Sequence, residues 1–429
     1  MRFLPKFITL FLLCATAGAA AISAGAAVVD ITPPTGYRLS GYFRERLSTG
    51  THDPLQAKAI VFEQNGVEAA LVFCDVIGIP LEVSTNARKQ ATAQTGIPTE
   101  NILVAATHTH TGPLYFGSLR EHYHQRAQAG DGSDPQEAVD YPALLASKIA
   151  AAVAQAQAQK RPVLLEAGTL EQQGLSFNRR FHMKSGPPVR FNPGKMNPDI
   201  LRPAGPIDPD VGVLLARDPN GAPLGALTVF ALHLDTVGGT EFAADYPYYL
   251  GQTLKDAFGQ DFFSAFGVGT CGDINHVDVS HKRRQKGHEE AERIGTTLGK
   301  TVLDGIDSLD SIAQPALAVR RVTVDVPLRD YTEEDVERGR ALLARAEEEK
   351  VPFLDRVDAS RALKLAARAS ETWPMEVQVF RLGDDVAIVG LPGEILVELG
   401  LAIKEASPFA HTLVVELAND APGLAAADV

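Results

Sequence analysis

Only three cysteines occur among the 429 residues, and none has the spacing of a zinc-type Cys cluster. A structural zinc site built on paired cysteines is therefore excluded. Positive charge is also short: 40 Lys and Arg stand against 53 Asp and Glu, giving a formal charge of −13. No basic run exceeds Lys282-Arg283-Arg284. That balance argues against binding nucleic acid, or an anionic membrane through bulk charge. The sequence has no acidic or basic tail and no internal repeat. Its one biased stretch, 150–159, is rich in Ala and Gln and continues a helical pattern that starts near Pro142. What remains is a globular composition, 45% apolar and 22% charged, with enough length to bury a large core as one big domain or two ordinary ones.

The N-terminus is set apart from this core. Arg2 and Lys6 precede a short apolar stretch, 7–13, which is too short to span a bilayer comfortably. Small residues over 17–21 then suit signal-peptidase cleavage. Residues 1–21 are expected to be a secretory signal, so the mature chain, 22–429, is expected to be secreted or periplasmic. Cys14 is not expected to be a lipoprotein site, because Leu13 precedes it where a small residue would be expected. Cys74 and Cys271 remain. They form either one disulfide, favoured in an oxidising compartment, or two buried free thiols.

Apolar runs at 57–62, 69–74, 102–105, 224–232, 262–268, 377–382, 386–391 and 412–417 read as buried strands. Helical patterns at 81–95, 246–258, 288–303 and 394–404 alternate with them, and 333–349 with 359–369 reads as a helical excursion. The segment 178–210, rich in Pro, Gly and Arg, reads as a long ordered loop. Alternation of this kind predicts an α/β fold: mixed buried β-sheets flanked by helices in a single large domain.

Polar residues follow these strands in a consistent way. Asp75 follows one, and His108 and His110 follow another within Thr107-His108-Thr109-His110-Thr111-Gly112-Pro113. His233 and Asp235 follow a third, Gly272-Asp273-Ile274-Asn275-His276 a fourth, and Glu394 a fifth, at the expected start of a helix. In extended chain, residues two apart share a face, so the His108 and His110 rings are expected to leave the strand together. Ligands and catalytic groups gather beyond the carboxyl ends of strands in α/β folds, which makes this the expected functional site without identifying its chemistry; metal chemistry is the natural reading of His108, His233 and Glu394. Taken singly, each residue has a plainer reading. His108 and His110 suit loop histidines bonded to backbone, and His233 a satisfied core histidine. Glu394 suits the positive end of its helix, and Asp273 a turn or helix N-cap. His122, His124, His281 and His288 lie in polar segments and read as solvated surface.

These motifs resemble the neutral/alkaline (non-lysosomal) ceramidase family, N-terminal catalytic domain, over nearly all of the mature chain. The resemblance is carried by Val29-Asp30-Ile31-Thr32-Pro33-Pro34, Gly41-Tyr42, His52-Asp53-Pro54-Leu55, the His108/His110 motif, Phe177-Asn178-Arg179, Phe230-Ala231-Leu232-His233, Gly272-Asp273-Ile274-Asn275 and Leu391-Pro392-Gly393-Glu394, in the family's order. It implies a zinc ion (Zn2+) on His108, His233 and Glu394, with His110 beside the metal and Arg179 lining the carbonyl site. Asp273 and Asn275 fall in the family's Gly-Asp motif, where the ceramidases carry a serine at the position of Asn275. The family's further tyrosine ligand has no counterpart in Glu416-Leu417-Ala418-Asn419-Asp420-Ala421-Pro422-Gly423-Leu424, and Leu424 falls in that region. The family's C-terminal β-domain is expected to be absent.

The expected function is zinc-dependent hydrolysis of an N-acyl amide bond in a ceramide-like lipid. The expected partner is a small-molecule or lipid amide met during transient membrane-surface contact, with no nucleic acid. Two alternatives stay open. One is a metal-dependent hydrolase of another substrate; the run 272–276 is faintly similar to metallophosphoesterase motifs, but no paired Asp-x-His stands near the first strand. The other is an inactive ceramidase-like binding protein, favoured by Asn275 and the absent tyrosine and opposed by His110 and Arg179.

Overall fold

A computed structural model describes residues 22–422 except 329, 346–350, 352 and 367–369. The expected signal segment, Leu424 and the ends of the two expected helices in the 333–369 block lie outside the described residues.

The apolar runs become strands of three sheets, each combining antiparallel pairs with one parallel pair. In the first, Ile102–Ala106, Val67–Cys74, Gln56–Gln64 and Ser23–Asp30 lie side by side, and the first two are parallel. In the second, Phe263–Val268 runs parallel to Pro223–Phe230, which continues into Asp210–Arg217 and Leu164–Glu171. The third orders Leu317–Pro327, Thr372–Leu382, Val386–Gly390 and His411–Val415, with the last two parallel.

Side-chain alternation sorts the first sheet into two buried faces. Ala57, Ala59 and Val61 join an apolar cluster with Val83 and Ala87 of helix α1 (Leu81–Thr95) and with Leu145, Ile149 and Val153 of a helix over Tyr141–Ala158. Ile60 and Phe62 face the other way, into a cluster with Leu214, Leu227 and Val229 of the second sheet and Phe380, Ile388 and Leu413 of the third. The outer face of the second sheet is covered by the helices Tyr246–Phe258 and His288–Gly305, through Leu250, Leu254, Ile294 and Leu298. These two helices approach closely because one carries Gly295, where a Cβ would lie 2.2 Å from the Tyr246 carbonyl oxygen. The layering of helices, sheet, sheet and helices matches the mixed, single-domain α/β architecture expected from the sequence. No described helix is long and apolar enough to cross a membrane.

Two expectations are corrected, and the alternative left open for the cysteines is resolved. The segment 178–210, expected as a long ordered loop, holds short strands: Arg180–Met183 pairs on either side with Val189–Phe191 and Ile200–Pro203. These strands have no apolar alternation because they are largely solvated. The helix expected at Glu394 starts at Val397, because Leu396 remains extended (φ −63°, ψ 142°). Cys74 and Cys271 form no disulfide; both are buried free thiols, and burial raises both above the ordinary thiol range. A soluble disulfide reagent is therefore expected to leave both unmodified in the folded protein and to modify both in denaturant. Fast reaction of either under native conditions, read by mass spectrometry, would contradict their burial.

The chain 416–419 joins the sheets. Glu416 N–H donates to Val268, Ala106 N–H to the Leu417 carbonyl, and Asn419 N–H to Val104. Continuing the strand His411–Val415, this segment passes between the parallel edges of the other two sheets. The carboxyl ends of all three parallel pairs thus open on one place.

Candidate metal centre

His108, His110 and His233 meet at that place. The strand Ile102–Ala106 ends two residues before His108, and His108 itself has φ +79°. A non-glycine residue held in this left-handed region costs on the order of 1–3 kcal/mol and persists only when its surroundings enforce it. Here His108 N–H donates to the Val76 carbonyl and His110 N–H to that of Leu234. The two rings therefore do not leave a continuous strand on one face, as expected from the sequence. A turn at His108 sets them edge to face at 5.1 Å, and His233 closes the group.

The donor chemistry of this group fits a cation. His108 Nδ1 lies 2.7 Å from the Ile77 carbonyl oxygen, which only accepts, so that nitrogen carries the proton and Nε2 is left with a lone pair. His233 has the same arrangement, with Nδ1 turned to the Cys271 carbonyl at 3.4 Å. Yet the two Nε2 atoms stand 3.1 Å apart, and His110 Nε2 stands 3.1 Å from that of His233. Lone pairs facing at this distance repel unless a cation lies between them, and ligands of a tetrahedral zinc with bonds of about 2.0–2.1 Å sit at a similar spacing. Protonation is a poor substitute. Burial, with the charge of His108 adding to it, drives the His110 imidazole down to about 3. Burial and Arg179 push His233 well below its usual range.

Glu394 and Arg179 flank the histidines. Glu394 Oε2 is 3.8 Å from His108 Nε2 and 3.8 Å from Arg179 Nη2. Glu394 stands in the link before the helix Val397–Ala406, so a place at the helix's positive end does not account for it. Arg179 donates twice to the Gly272 carbonyl, from Nε at 3.2 Å and Nη2 at 2.5 Å, which aims its guanidinium at the group. The structure thus brings together His108, His110, His233, Glu394 and Arg179.

Asp273 and Asn275 lie behind this group. Asp273, fully buried, accepts from Val397 N–H, from Asn178 Nδ2 and from the Arg180 guanidinium. Asn275 donates to Asn192 Oδ1, and Asn192 N–H in turn donates to the Arg179 carbonyl. Both residues hold the loops that present Arg179.

Two features were not assigned from sequence. Glu416 is buried and accepts from Ile395 N–H at 2.7 Å, Cys271 N–H at 3.1 Å and the Cys271 thiol at 3.2 Å, so it braces the loops on either side of Glu394 and His233. Burial holds its carboxyl well above the usual range, and the Glu394 carboxylate adds to this. His276 and Asp235 form a pair at 3.1 Å beside the histidines. Burial opposes the charge on each, but their mutual hydrogen bond raises His276 and holds Asp235 well below the usual carboxylate range. His276 stood in the quoted motif 272–276, so the signal was present without a partner to interpret it.

Of the histidines read as surface, His122 and His281 are exposed. His124 is instead bonded to Asp134 at 2.9 Å and half-buried. His288 stacks on His52 at 3.7 Å, next to buried Asp53. Ligand atoms in His52, Asp53 and His288, and in His124, Asp134 and Glu137, are close enough to share an ion. Neither group matches the central one. The first has near-parallel rings, whose in-plane lone pairs do not converge, and the carboxylates of the second are already held by Arg38 and Arg120.

No protein-family model matches the chain. Among curated proteins it is 26% identical over 275 residues to neutral ceramidase B of Dictyostelium discoideum, covering 61% of this chain and 36% of that protein. It is 28% identical over 195 residues to the neutral ceramidase of Pseudomonas aeruginosa, covering 44% of this chain and 26% of that protein. The matches therefore span about a third of these relatives or less. Among solved structures, a ceramidase complexed with C2 superposes with a TM-score of 0.67 at 19% identity, covering 94% of this chain and 69% of that one. The neutral ceramidase from Pseudomonas aeruginosa gives 0.67 at 20% identity, covering 94% and 68%. At such identities the structural likeness establishes the fold.

Proposed function

We propose that this chain, neutral-ceramidase-like in sequence and fold, is a zinc-dependent hydrolase of the amide bond in a ceramide-like lipid. The observation that carries the reading is the convergence of three imidazole Nε2 atoms, two of them unprotonated, beside a carboxylate and a guanidinium. The matched curated proteins are both ceramidases, which points to an amide as the bond attacked. His108, His233 and Glu394 would hold the ion. When bound, zinc would lower the pKa of a water molecule and polarise the amide carbonyl.

The remaining chemistry falls to the protein. His110 touches the group through Nε2, where it would take up a proton released at the centre and pass it to the departing amine nitrogen. Arg179 is anchored to the Gly272 carbonyl through two nitrogens, and it stabilises the oxygen that becomes negative as the carbonyl is attacked. The products are a fatty acid and the free amine. No step requires a hydroxyl nucleophile, so Asn275 in place of a serine does not bar the reaction.

Arg179→Ala is expected to retain the bound metal and to lower kcat by about 10²–10³-fold, the cost of losing one oxyanion donor. Metal analysis together with release of fatty acid from a fluorescent ceramide checks this. Full activity in the variant would remove Arg179 from the mechanism.

A further inference from the structure

Next to the centre lies an open cleft of about 760 Å³ whose lining includes Tyr42, Arg44, Arg46, Asp235, Arg284 and Lys286. The two spaces are contiguous. Arg46 donates to the His110 carbonyl at 2.8 Å, and the Tyr42 ring meets that of His110 edge to face at 6.0 Å. Since His110 serves the departing nitrogen, the amine half of a substrate lies on this side.

The cleft carries uncompensated positive charge. Three arginines of the described chain are buried, and Arg38 and Arg88 each hold a carboxylate, at 2.7 and 2.6 Å. Arg46 is the exception. Its guanidinium donates to the carbonyls of Ser40, Gly239 and His110 and lies over the Tyr42 ring, while its buried Nε has no partner. A buried cation without a counter-charge is costly, and an anionic ligand is one way to offset that cost. Arg44, Arg284 and Lys286 are exposed at the same cleft, and no carboxylate pairs with them among the described residues. The N-terminus of the 18-residue helix His288–Gly305 also opens there with no side-chain cap, adding its positive end. Two carboxylates line the cleft. Asp235 is paired with His276, which leaves Glu289 at the rim as the opposing charge.

We propose that this cleft binds an anionic group, a carboxylate or a phosphate, on the amine half of the scissile amide, so that the preferred substrate is an acidic N-acyl amide rather than a neutral one. This rests on the amide-hydrolase reading above. An unpaired charge on the ligand would complete the Arg46 site and recruit Arg284 and Lys286.

The test compares amides sharing one acyl chain: an N-acylglycine, an N-acyl phosphoethanolamine, a neutral N-acylethanolamine and a ceramide. With the metal-loaded enzyme, KM for at least one anionic amide is expected to lie about tenfold below that of its neutral counterpart. The carboxylate and phosphate arms then identify the group. In Arg284→Ala/Lys286→Ala, whose side chains are exposed and whose loss does not threaten folding, that KM ratio is expected to fall to about one. Equal KM values for charged and neutral amides, or a ratio unchanged in the variant, would overturn the inference and leave the hydrolase standing. Calorimetric titration of N-acylglycine into the metal-free protein separates the two ideas. Binding that the double variant loses supports the anion site even if no amide is turned over, and an absence of binding counts against it even if ceramide is cleaved.

Discussion

His233→Ala is expected to yield a folded protein that binds no zinc and hydrolyses no amide. His233 is the hub of the centre: its Nε2 stands 3.1 Å from those of both His108 and His110, whereas of these histidines only His108 lies within 4 Å of the Glu394 carboxylate, at 3.8 Å. Removing the hub leaves no three donors converging, and catalytic zinc sites rest on about three protein ligands. The loss in kcat/KM should therefore exceed the roughly 10²–10³-fold expected for a single oxyanion donor such as Arg179. The fold should survive, because outside the histidine group the His233 ring makes only long contacts, to the Cys271 carbonyl at 3.4 Å and the Cys271 sulfur at 3.6 Å, and its neighbouring strand is held by its own ladder. Metal stoichiometry by elemental analysis, far-ultraviolet circular dichroism and amide hydrolysis are measured on one preparation. Zinc retained at one per chain would place the ion elsewhere and sink the mechanism. The same assay separates the proposed third ligand from the proposed proton carrier: Glu394→Gln should lose zinc affinity, and His110→Ala should keep the metal and lose turnover by about 10²–10⁴-fold.

The elements of this fold were legible wherever burial is two-sided or periodic. The helices at Leu81–Thr95 and Tyr246–Phe258 begin and end where their patterns do, and the apolar runs all fall within or next to strands. Segment 178–210 was missed because its strands are short and solvated, so pairing is their only signal. The site was legible as a list of residues at strand ends but not as a geometry. The turn at His108 depends on hydrogen bonds to the carbonyls of Val76 and Leu234, and nothing in the spacing of the two histidines announces a positive φ. Glu416 was invisible for a related reason. A glutamate at the end of an apolar strand looks like a surface residue until Cys271, 145 positions away, donates to it. Non-glycine residues with positive φ also occur at Asp245, Leu417 and Asn419, in the links that carry or brace the histidine loops. Local strain of this kind gathers where tertiary contacts override sequence preference.

Asp273 is where the two levels of reading part, and its removal should produce the largest stability effect. The motif suggests chemistry, but in the structure each of its partners is a protein group. Oδ1 accepts from Val397 N–H at 2.9 Å and so caps the helix Val397–Ala406 from a distant part of the chain. Oδ2 accepts from Asn178 Nδ2 at 3.0 Å, Arg180 Nε at 2.9 Å and Arg180 Nη2 at 2.7 Å. Alanine there would strand a helix N-terminus, an amide and a guanidinium at once, and removing one partner of a buried charge pair costs about 3–5 kcal/mol. Asp273→Asn keeps the size and an acceptor oxygen but cannot serve both sides, so a smaller loss is expected. Because Val397 follows Glu394 by three residues and Asn178 precedes Arg179, this hub reaches the centre through the fold and not through contact with the reacting groups. Activity in both variants should then fall in proportion to the folded fraction, with the folded molecules working near the wild-type rate at low temperature. Denaturant unfolding and single-temperature kinetics on the same samples decide the matter: a variant of unchanged stability and lost kcat would return Asp273 to the chemistry.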